Sequence, residues 1–277
     1  MSSSKKKTTG KQSTASRREA LRAQQEAAAK QKRTRRVMAL IAAVLALAVI
    51  AVVGVVVWQD QKKKREIARN EAQVQITPPN AVDTTGILVN PEAKDAKYTL
   101  SVYVDYQCSA CASVEKDYGP VWKKLADEGF VKLQINTKTF LQPKYGDYSE
   151  PLAIGAACAD TVGKYWDFHS NVFPFQGQSI PLYSDRDVEK TIPDRAGIIG
   201  KDYDRWKTCF DNKQTAKFVR EVQNNAERAR ITATPSITIN GKNPQVDANT
   251  ESGKTDWWRT LDPDVEQWKA AIEKHAA

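Results

Sequence analysis

The sequence predicts an α/β domain that is interrupted by an all-helical insertion and preceded by one apolar helix. Three observations lead to this prediction. A strand–helix–strand pattern spans about residues 98–136, the stretch 150–230 carries almost no strand signal, and β signal returns from residue 235 before a last helix. The length of 277 residues is enough for one sizeable domain with appendages.

The apolar helix is predicted for residues 37–58, because 21 uncharged residues run from Val37 to Val57. Such a run is long enough to cross a bilayer, and 36 residues precede it, so we predict an uncleaved transmembrane anchor rather than a signal peptide. Residues 1–36 hold twelve Lys or Arg against two Glu, which predicts a basic cytoplasmic tail. All four cysteines follow the helix, which favours an oxidising, extracytoplasmic location for the rest of the chain.

The net charge of +9 belongs almost entirely to this tail. Because residues 1–36 contribute +10, the remainder is near neutral, −1 by subtraction. A folded basic surface is therefore not predicted, which argues against a nucleic-acid partner. The charged stretch 59–80, which ends in Thr77-Pro-Pro-Asn80, is predicted to be a linker, and the folded domain is predicted for residues 81–277.

Cys108 and Cys111 lie where a strand is predicted to pass into a helix. The alternating run Tyr98–Val104 is rich in β-branched and aromatic residues, and apolar positions then recur at helical spacing, at Cys111, Val114, Tyr118, Trp122 and Leu125. Unpaired N–H groups and the positive end of the helix dipole favour an anion at a helix start. A thiol at this position is acidified towards a reactive thiolate, so the pattern predicts a redox-active dithiol.

The elements after the dithiol follow from similar patterns. Phe130–Asn136 is predicted to be a second strand, parallel to the first because a helix connects them. The connecting helix is expected to end or bend at Gly119-Pro120. Residues 151–159 and the stretch from Thr215 are predicted to be helical, and the latter has an apolar face formed by Phe218, Val219, Val222 and Ala226.

The closing unit begins with the strand Pro235–Ile239. The Asn240-Gly241 pair predicts a hairpin in which Gln245-Val246 pairs back onto that strand. Asp262-Pro263 predicts the cap and first turn of the last helix. The complete order, β-α-β, helices, β-β-α, is that of a thioredoxin-like fold with a helical insertion at about residues 140–230.

Three motifs resemble the DsbA-like branch of thioredoxin-fold thiol oxidoreductases. They are the stretches Asp105–Cys111, Gly163–His169 and Ala233–Ser236, which occur in the family's order within about residues 98–275. The family often has proline and then histidine or an aromatic residue between its cysteines. This chain has Ser109 and Ala110 there, and Ala110 has no side chain that would stabilise a thiolate.

The resemblance implies specific roles for four residues. Cys108 would be the attacking and attacked sulfur, and Cys111 would be the resolving thiol. Thr234-Pro235 would form a loop with a cis proline beside the dithiol, whose backbone binds a client peptide.

The resemblance also implies a function. We expect a single-pass, membrane-anchored bacterial thiol:disulfide oxidoreductase that oxidises reduced, unfolded secreted proteins and is reoxidised by a membrane partner. We expect neither a metal ion nor another cofactor. Two alternatives are an envelope reductase or isomerase, and a non-enzymatic chaperone or scaffold built on the same fold.

Other interpretations apply to the remaining cysteines and histidines. A zinc site at Cys108 and Cys111 would need two further ligands from residues scattered singly along the chain, namely Cys158, Cys209, His169 and His275. For Cys158 and Cys209 we favour a disulfide that joins two insertion helices over a second redox pair or two free thiols. We interpret His169 as a packed helix residue, and the tryptophans at 122, 166, 206, 257, 258 and 268 as core and groove residues.

Overall fold

The computed structural model describes residues 74–247 and 253–276, together with residues 30, 35, 38, 41, 44, 45, 47–62, 64 and 65. The chain divides into two compact units, residues 1–66 and 67–277. In the first unit, residues 47–62 are helical. Among the described residues, no helix combines the length and the apolar character needed to cross a membrane. Part of the predicted segment 37–58 and most of the tail 1–36 lie outside the described residues.

The second unit contains a five-stranded sheet and the helices around it. Its strands are β1 (Ala81–Val82), β2 (Gly86–Leu88), β3 (Tyr98–Asp105), β4 (Val131–Lys138) and β5 (Ser236–Ile239), in the order β1-β2-β4-β3-β5. A separate two-stranded sheet is formed by β6 (Gln245–Asp247) and β7 (Lys254–Asp256). The helices are α1 (Ser109–Asp127), α2 (Gln142–Tyr145), α3 (Ser149–Asp160), α4 (Tyr165–Val172), α5 (Ile192–Arg195), α6 (Lys201–Asp211), α7 (Ala216–Arg228) and α8 (Val265–His275).

The parallel pair β3 and β4, joined by α1, forms the centre of the sheet, as the sequence predicts. Helix α1 continues through Pro120 to Asp127, so the expectation that it ends at Gly119-Pro120 is wrong. Its buried aromatic face packs against α8, where the Trp122 and Trp268 rings lie 5.8 Å apart. This contact fixes the helix that begins at the dithiol.

The helices between β4 and β5 form the insertion, and no strand occurs among the described residues from 139 to 235. The predicted apolar face of α7 is confirmed, since Phe218, Val219, Val222 and Ala226 are all buried. Residues assigned to the linker also pack on the insertion, because Asn80 donates from its backbone and side chain to the Asp160 carboxylate at 2.8 Å. The folded unit therefore includes the end of the predicted linker.

Two short strands, β1 and β2, were not predicted from the sequence. They contain only two and three residues, too few to give an alternating pattern. β2 pairs with the edge of β4, and a Cβ at Gly86 would lie 1.9 Å from Asn136 Oδ1. Only glycine allows this close approach of the two strands.

The predicted hairpin partner of β5 is wrong. Asn240 and Gly241 do form a tight turn with positive φ angles of 49° and 77°, but pairing stops at Lys242. The next hydrogen-bonded position falls on Pro244, which has no N–H to donate. The Trp257 indole N–H bonds Ile237 O at 3.3 Å instead, and the Trp257 backbone N–H bonds Pro244 O at 3.1 Å.

The cap of the last helix also differs from the prediction. Asp264 caps α8 by accepting from Gln267 N at 2.9 Å, so the helix starts two residues after the Asp262-Pro263 pair. Both aspartates are chemically able to cap, and the sequence alone does not decide between them.

Candidate active site

Cys108 is the N-cap residue of α1, with extended backbone angles of φ −87° and ψ 113°. Its Sγ accepts a hydrogen bond from Cys111 N at 3.4 Å, which is the bond that a capping side chain makes to the first turn. Cys108 is 9% exposed and Cys111 is fully buried, and both are free thiols. Cys108 therefore keeps a small exposed area, whereas Cys111 lies wholly beneath the surface.

The surroundings give the two thiols opposite acidities. A hydrogen bond from the Cys111 side chain, assisted by Thr234 and by backbone N–H groups of Cys111 and Ala110, lowers the pKa of Cys108 to about 6 against the opposing effect of burial. Burial raises the pKa of Cys111 far above its ordinary value. At neutral pH, the lowered pKa therefore makes Cys108 mainly a thiolate, and Cys111 stays protonated and donates a hydrogen bond to it.

The absence of histidine between the cysteines is offset by the backbone. The Ala110 side chain contributes nothing to the thiolate, but its N–H is among the groups that lower the Cys108 pKa. The start of α1 contains no acidic residue that would oppose a negative charge. The chain therefore stabilises the thiolate with helix-start donors and with Cys111.

The loop before β5 lies against Cys108. The Thr234–Pro235 peptide bond is cis, and the Cys108 thiol, when protonated, donates to Thr234 O at 3.4 Å. Thr234 Oγ1 is buried and has no hydrogen-bond partner among the described residues. The structure thus brings together Cys108, Cys111, Thr234 and Pro235, which are distant in sequence.

The three residues before Cys108 are each held by the insertion. The Asp105 carboxylate accepts from Ser149 Oγ at 2.7 Å and from Leu141 N at 3.0 Å. The Tyr106 carbonyl accepts from Tyr183 Oη at 2.7 Å and Gln176 Nε2 at 3.0 Å, and Gln107 Oε1 accepts from Tyr148 N at 2.7 Å. The inserted helices and their loops therefore set the position of the nucleophile's backbone.

A buried charged pair lies at the same end of the sheet. Asp105 and Lys138 are register partners at the ends of β3 and β4, and both are almost fully buried. Burial raises the pKa of Asp105 and lowers the pKa of Lys138. Lys138 Nζ donates to Ile231 O, so this lysine joins the sheet end to the segment that leads into the cis-proline loop.

His169 lies at the centre of a buried hydrogen-bond network that the sequence did not reveal. Its Nδ1 is 3.0 Å from Tyr106 Oη and its Nε2 is 3.0 Å from Glu115 Oε1. His169 has no exposed surface, and Glu115 is 8% exposed. The network joins α1, α4 and the end of β3, which gives the predicted packed histidine a positioning role.

Cys158 and Cys209 form a disulfide that connects α3 to α6, with Cα atoms 5.8 Å apart. Both residues are buried, as expected for a structural bond rather than a reactive one. Three of the four residues considered as further zinc ligands are therefore engaged elsewhere. Cys158 and Cys209 are joined to each other, and His169 is hydrogen-bonded to Tyr106 and Glu115. Among the described residues, no cluster of three or more His, Cys, Asp or Glu side chains has the arrangement of a metal site.

The tryptophans are mainly core residues. Five of them are at most 2% exposed: Trp122, Trp206, Trp257, Trp258 and Trp268. Trp166 is partly exposed and lines a groove beside α1. The adjacent Trp257 and Trp258 therefore belong to the core, as do the other buried tryptophans.

Fold and site together define a thioredoxin-fold dithiol domain with a helical insertion. The family model described as Thioredoxin matches residues 93–273, roughly two thirds of the chain, and the chain belongs to this family. No curated protein matches the chain significantly.

Two solved structures have a similar fold. One is MdbA, a thiol-disulfide oxidoreductase from Actinomyces oris, with 15% identity over 72% of this chain and 92% of that chain and a TM-score of 0.56. The other is MdbA, a thiol-disulfide oxidoreductase from Corynebacterium diphtheriae, with 20% identity over 61% of this chain and 88% of that chain and a TM-score of 0.50. These similarities confirm the DsbA-like fold.

Proposed function

We propose that this chain is a membrane-anchored, extracytoplasmic thiol:disulfide oxidoreductase that introduces disulfides into reduced, unfolded proteins. The observation that carries the proposal is the Cys108 thiol at the start of α1, with its pKa lowered to about 6, against the cis Thr234–Pro235 loop. A stabilised thiolate favours the reduced enzyme, so the oxidised enzyme tends to take electrons from client thiols.

The reaction proceeds by two exchanges. A client thiolate attacks Cys108 Sγ of the Cys108–Cys111 disulfide, forms a mixed disulfide and releases the Cys111 sulfur, which takes up a proton. A second client thiolate then attacks the client sulfur of the mixed disulfide and releases the Cys108 thiolate. The client gains one disulfide and loses two electrons, the enzyme dithiol gains them, and a membrane partner reoxidises the pair.

The Cys108 pKa alone does not decide between the oxidising direction and the reductase alternative. A pKa of about 6 lies between the values of about 7 for thioredoxin and about 3.5 for DsbA. We therefore expect a reduction potential between roughly −270 and roughly −120 mV, the values of those two proteins. A potential at the thioredoxin end would favour the reductase instead.

Two features support the proposed location. Helical residues 47–58 present large apolar side chains, and Leu47, Val49, Ile50, Val52, Val53, Val55, Val56, Val57 and Trp58 are each more than 50% exposed. The Cys158–Cys209 disulfide suits an oxidising compartment. We infer a single-pass bacterial membrane protein with residues 1–36 in the cytoplasm and residues 81–277 outside.

The test uses the purified full chain and a reduced, unfolded secreted protein. Oxidised wild-type protein should form client disulfides, Cys108→Ala should not, and Cys111→Ala, first activated as a mixed disulfide at Cys108, should transfer that disulfide without turnover. Ser109→Ala is the matched control and should keep the activity. Client oxidation that persists in Cys108→Ala would refute the proposal, and client binding that is unchanged in all variants without oxidation would favour a chaperone.

A further inference from the structure

A groove of 810 Å³ runs beside α1, on the side of this helix that faces the insertion. One wall is formed by α1, and the other by α4 and the turn after it. Its lining includes Ala112, Lys116, Pro120, Trp166, Phe173 and Pro174. Neither Thr234 nor Pro235 lines it, so this surface is separate from the cis-proline loop.

The groove begins close to the reactive cysteine. Ala112 is one helical turn beyond Cys108, and its N–H donates to Cys108 O at 3.1 Å. From there the lining residues of α1 extend to Asp127. At 1.5 Å per residue the fifteen steps from Ala112 to Asp127 cover about 22 Å, which matches roughly seven residues of an extended polypeptide.

The lining has the chemistry of a peptide-binding surface. Trp166, Phe173 and Pro174 provide an apolar wall, in which Phe173 is buried and Trp166 is partly exposed. Tryptophan is enriched where polypeptides bind. On the opposite wall, Pro120 has no N–H to give the Lys116 carbonyl and adds an apolar ring to the surface of α1.

The charge on the groove is uneven. Lys123 pairs with Asp127, and Lys124 lies 4.0 Å from Glu128. Glu115 is turned into the floor, where it bonds the buried His169. Lys116 is exposed and has no ion pair with the described residues of the domain. Its ammonium group is therefore available to pair with an acidic side chain of a bound peptide.

We propose that this groove binds the client segment that flanks the reacting cysteine, and that it selects an acidic side chain about four residues from that cysteine. Lys116 is eight helical positions from Cys108, about 12 Å along α1, and an extended client chain covers that distance in about four residues. The apolar wall favours an aromatic or aliphatic residue beyond the acidic one. This inference rests on the proposed exchange at Cys108 and names the clients that react fastest.

The experiment measures mixed-disulfide formation between the oxidised full chain and single-cysteine peptides that carry Glu, Gln or Lys four residues before or after the cysteine. Each rate is divided by that peptide's rate with oxidised glutathione, which removes differences in thiol reactivity. Because an exposed ion pair contributes up to about 1 kcal/mol, the Glu peptide should react about three- to fivefold faster than the Lys peptide.

Variants then locate the preference. Lys116→Glu should reverse it, and Trp166→Ala should slow all peptides by a larger factor than it slows reduced glutathione. Lys201→Glu, the same charge reversal on α6 outside the groove, should leave the preference intact. Thermal unfolding of each variant shows that it is folded.

Three results would overturn the inference. Equal normalised rates for Glu and Lys peptides would do so, and so would the same effect from Lys201→Glu as from Lys116→Glu. Dimerisation of the chain that Lys116→Glu abolishes would assign the groove to a second copy. Failure of Cys108 to react with glutathione and all peptides would instead refute the proposed function itself, so the two failures are distinguishable.

Discussion

The acidity of Cys108 is the property on which the proposed chemistry depends, and Cys111→Ala is the sharpest perturbation of it. Among the groups that lower the Cys108 pKa to about 6, the Cys111 side chain has the largest effect. Removing that donor should move the pKa up towards the value of about 8.5 for a free thiol. Helix-start N–H groups and Thr234 remain, so the shift should be incomplete.

The magnitude follows from the two pKa values. With a pKa of about 6, about nine tenths of Cys108 is thiolate at pH 7, against about 3% for a free thiol, a ratio of about 30. Nucleophilicity falls with pKa with a Brønsted slope of about 0.4–0.5, which costs Cys108 about 13-fold in intrinsic reactivity. The net rate advantage at pH 7 is only about twofold, so a single rate does not reveal the pKa.

The assay is therefore the pH dependence of alkylation of Cys108 by iodoacetamide in the reduced full chain, followed by mass spectrometry. We expect a midpoint near pH 6 in wild type and at least one unit higher in Cys111→Ala. Ser113→Ala, an exposed change on the same helix, is the control and should titrate like wild type. A wild-type midpoint at or above about pH 8 would refute the reasoning, and an unchanged midpoint in Cys111→Ala would show that Cys111 is not the main donor.

Three further predictions concern stability. Because the folded pKa of Cys108 is depressed, the reduced form should gain stability relative to the oxidised form as pH rises from about 6 to about 8, below the range in which the unfolded Cys111 thiol ionises. Chemical unfolding of both forms across that window should show a difference that grows with pH. Replacing Cys158 and Cys209 by Ala removes a disulfide with a sequence separation of 51. In the chain-entropy model this should lower the free energy of unfolding by about 4 kcal/mol. An unchanged free energy of unfolding in urea would contradict this prediction. His169→Leu leaves Glu115 and Tyr106 buried without their partner and should cost about 3 kcal/mol, whereas Lys201→Leu, an exposed control, should stay within about 0.5 kcal/mol.

The sequence predicted the elements that have a strong local signal. Strand β3, helix α1 and strand β4 show clear periodicity, and the Cys-x-x-Cys motif lies between two of them. Strands β1 and β2 were not predicted, because their pairing depends on the close approach of β2 to β4 at Gly86. The predicted hairpin after β5 is wrong although its turn was predicted correctly, because Pro244 has no backbone N–H to continue the pairing.

The predicted site residues show a similar limit. Cys108, Cys111, Thr234 and Pro235 were predicted because they lie in short motifs that can be recognised from a few consecutive residues. Their supporting contacts join distant positions, such as Ser149 to Asp105 and His169 to Glu115, and no local pattern encodes which insertion residue meets which strand. The signal that was available was compositional: polar residues in otherwise apolar helices need buried partners.

These contacts give the insertion a physical role in the reaction. Every residue from Asp105 to Gln107 is held by a hydrogen bond from the insertion, and those three residues lead directly into Cys108. A helix start stabilises a thiolate only when the sulfur lies within reach of its N–H groups, so a shift of the preceding segment would weaken the donation from Cys111 N at 3.4 Å. The insertion thus acts on the acidity of Cys108 without touching its sulfur, and its other side supplies the aromatic wall of the groove along α1. The insertion therefore both positions the backbone that leads into Cys108 and forms one wall of the surface where we expect clients to bind.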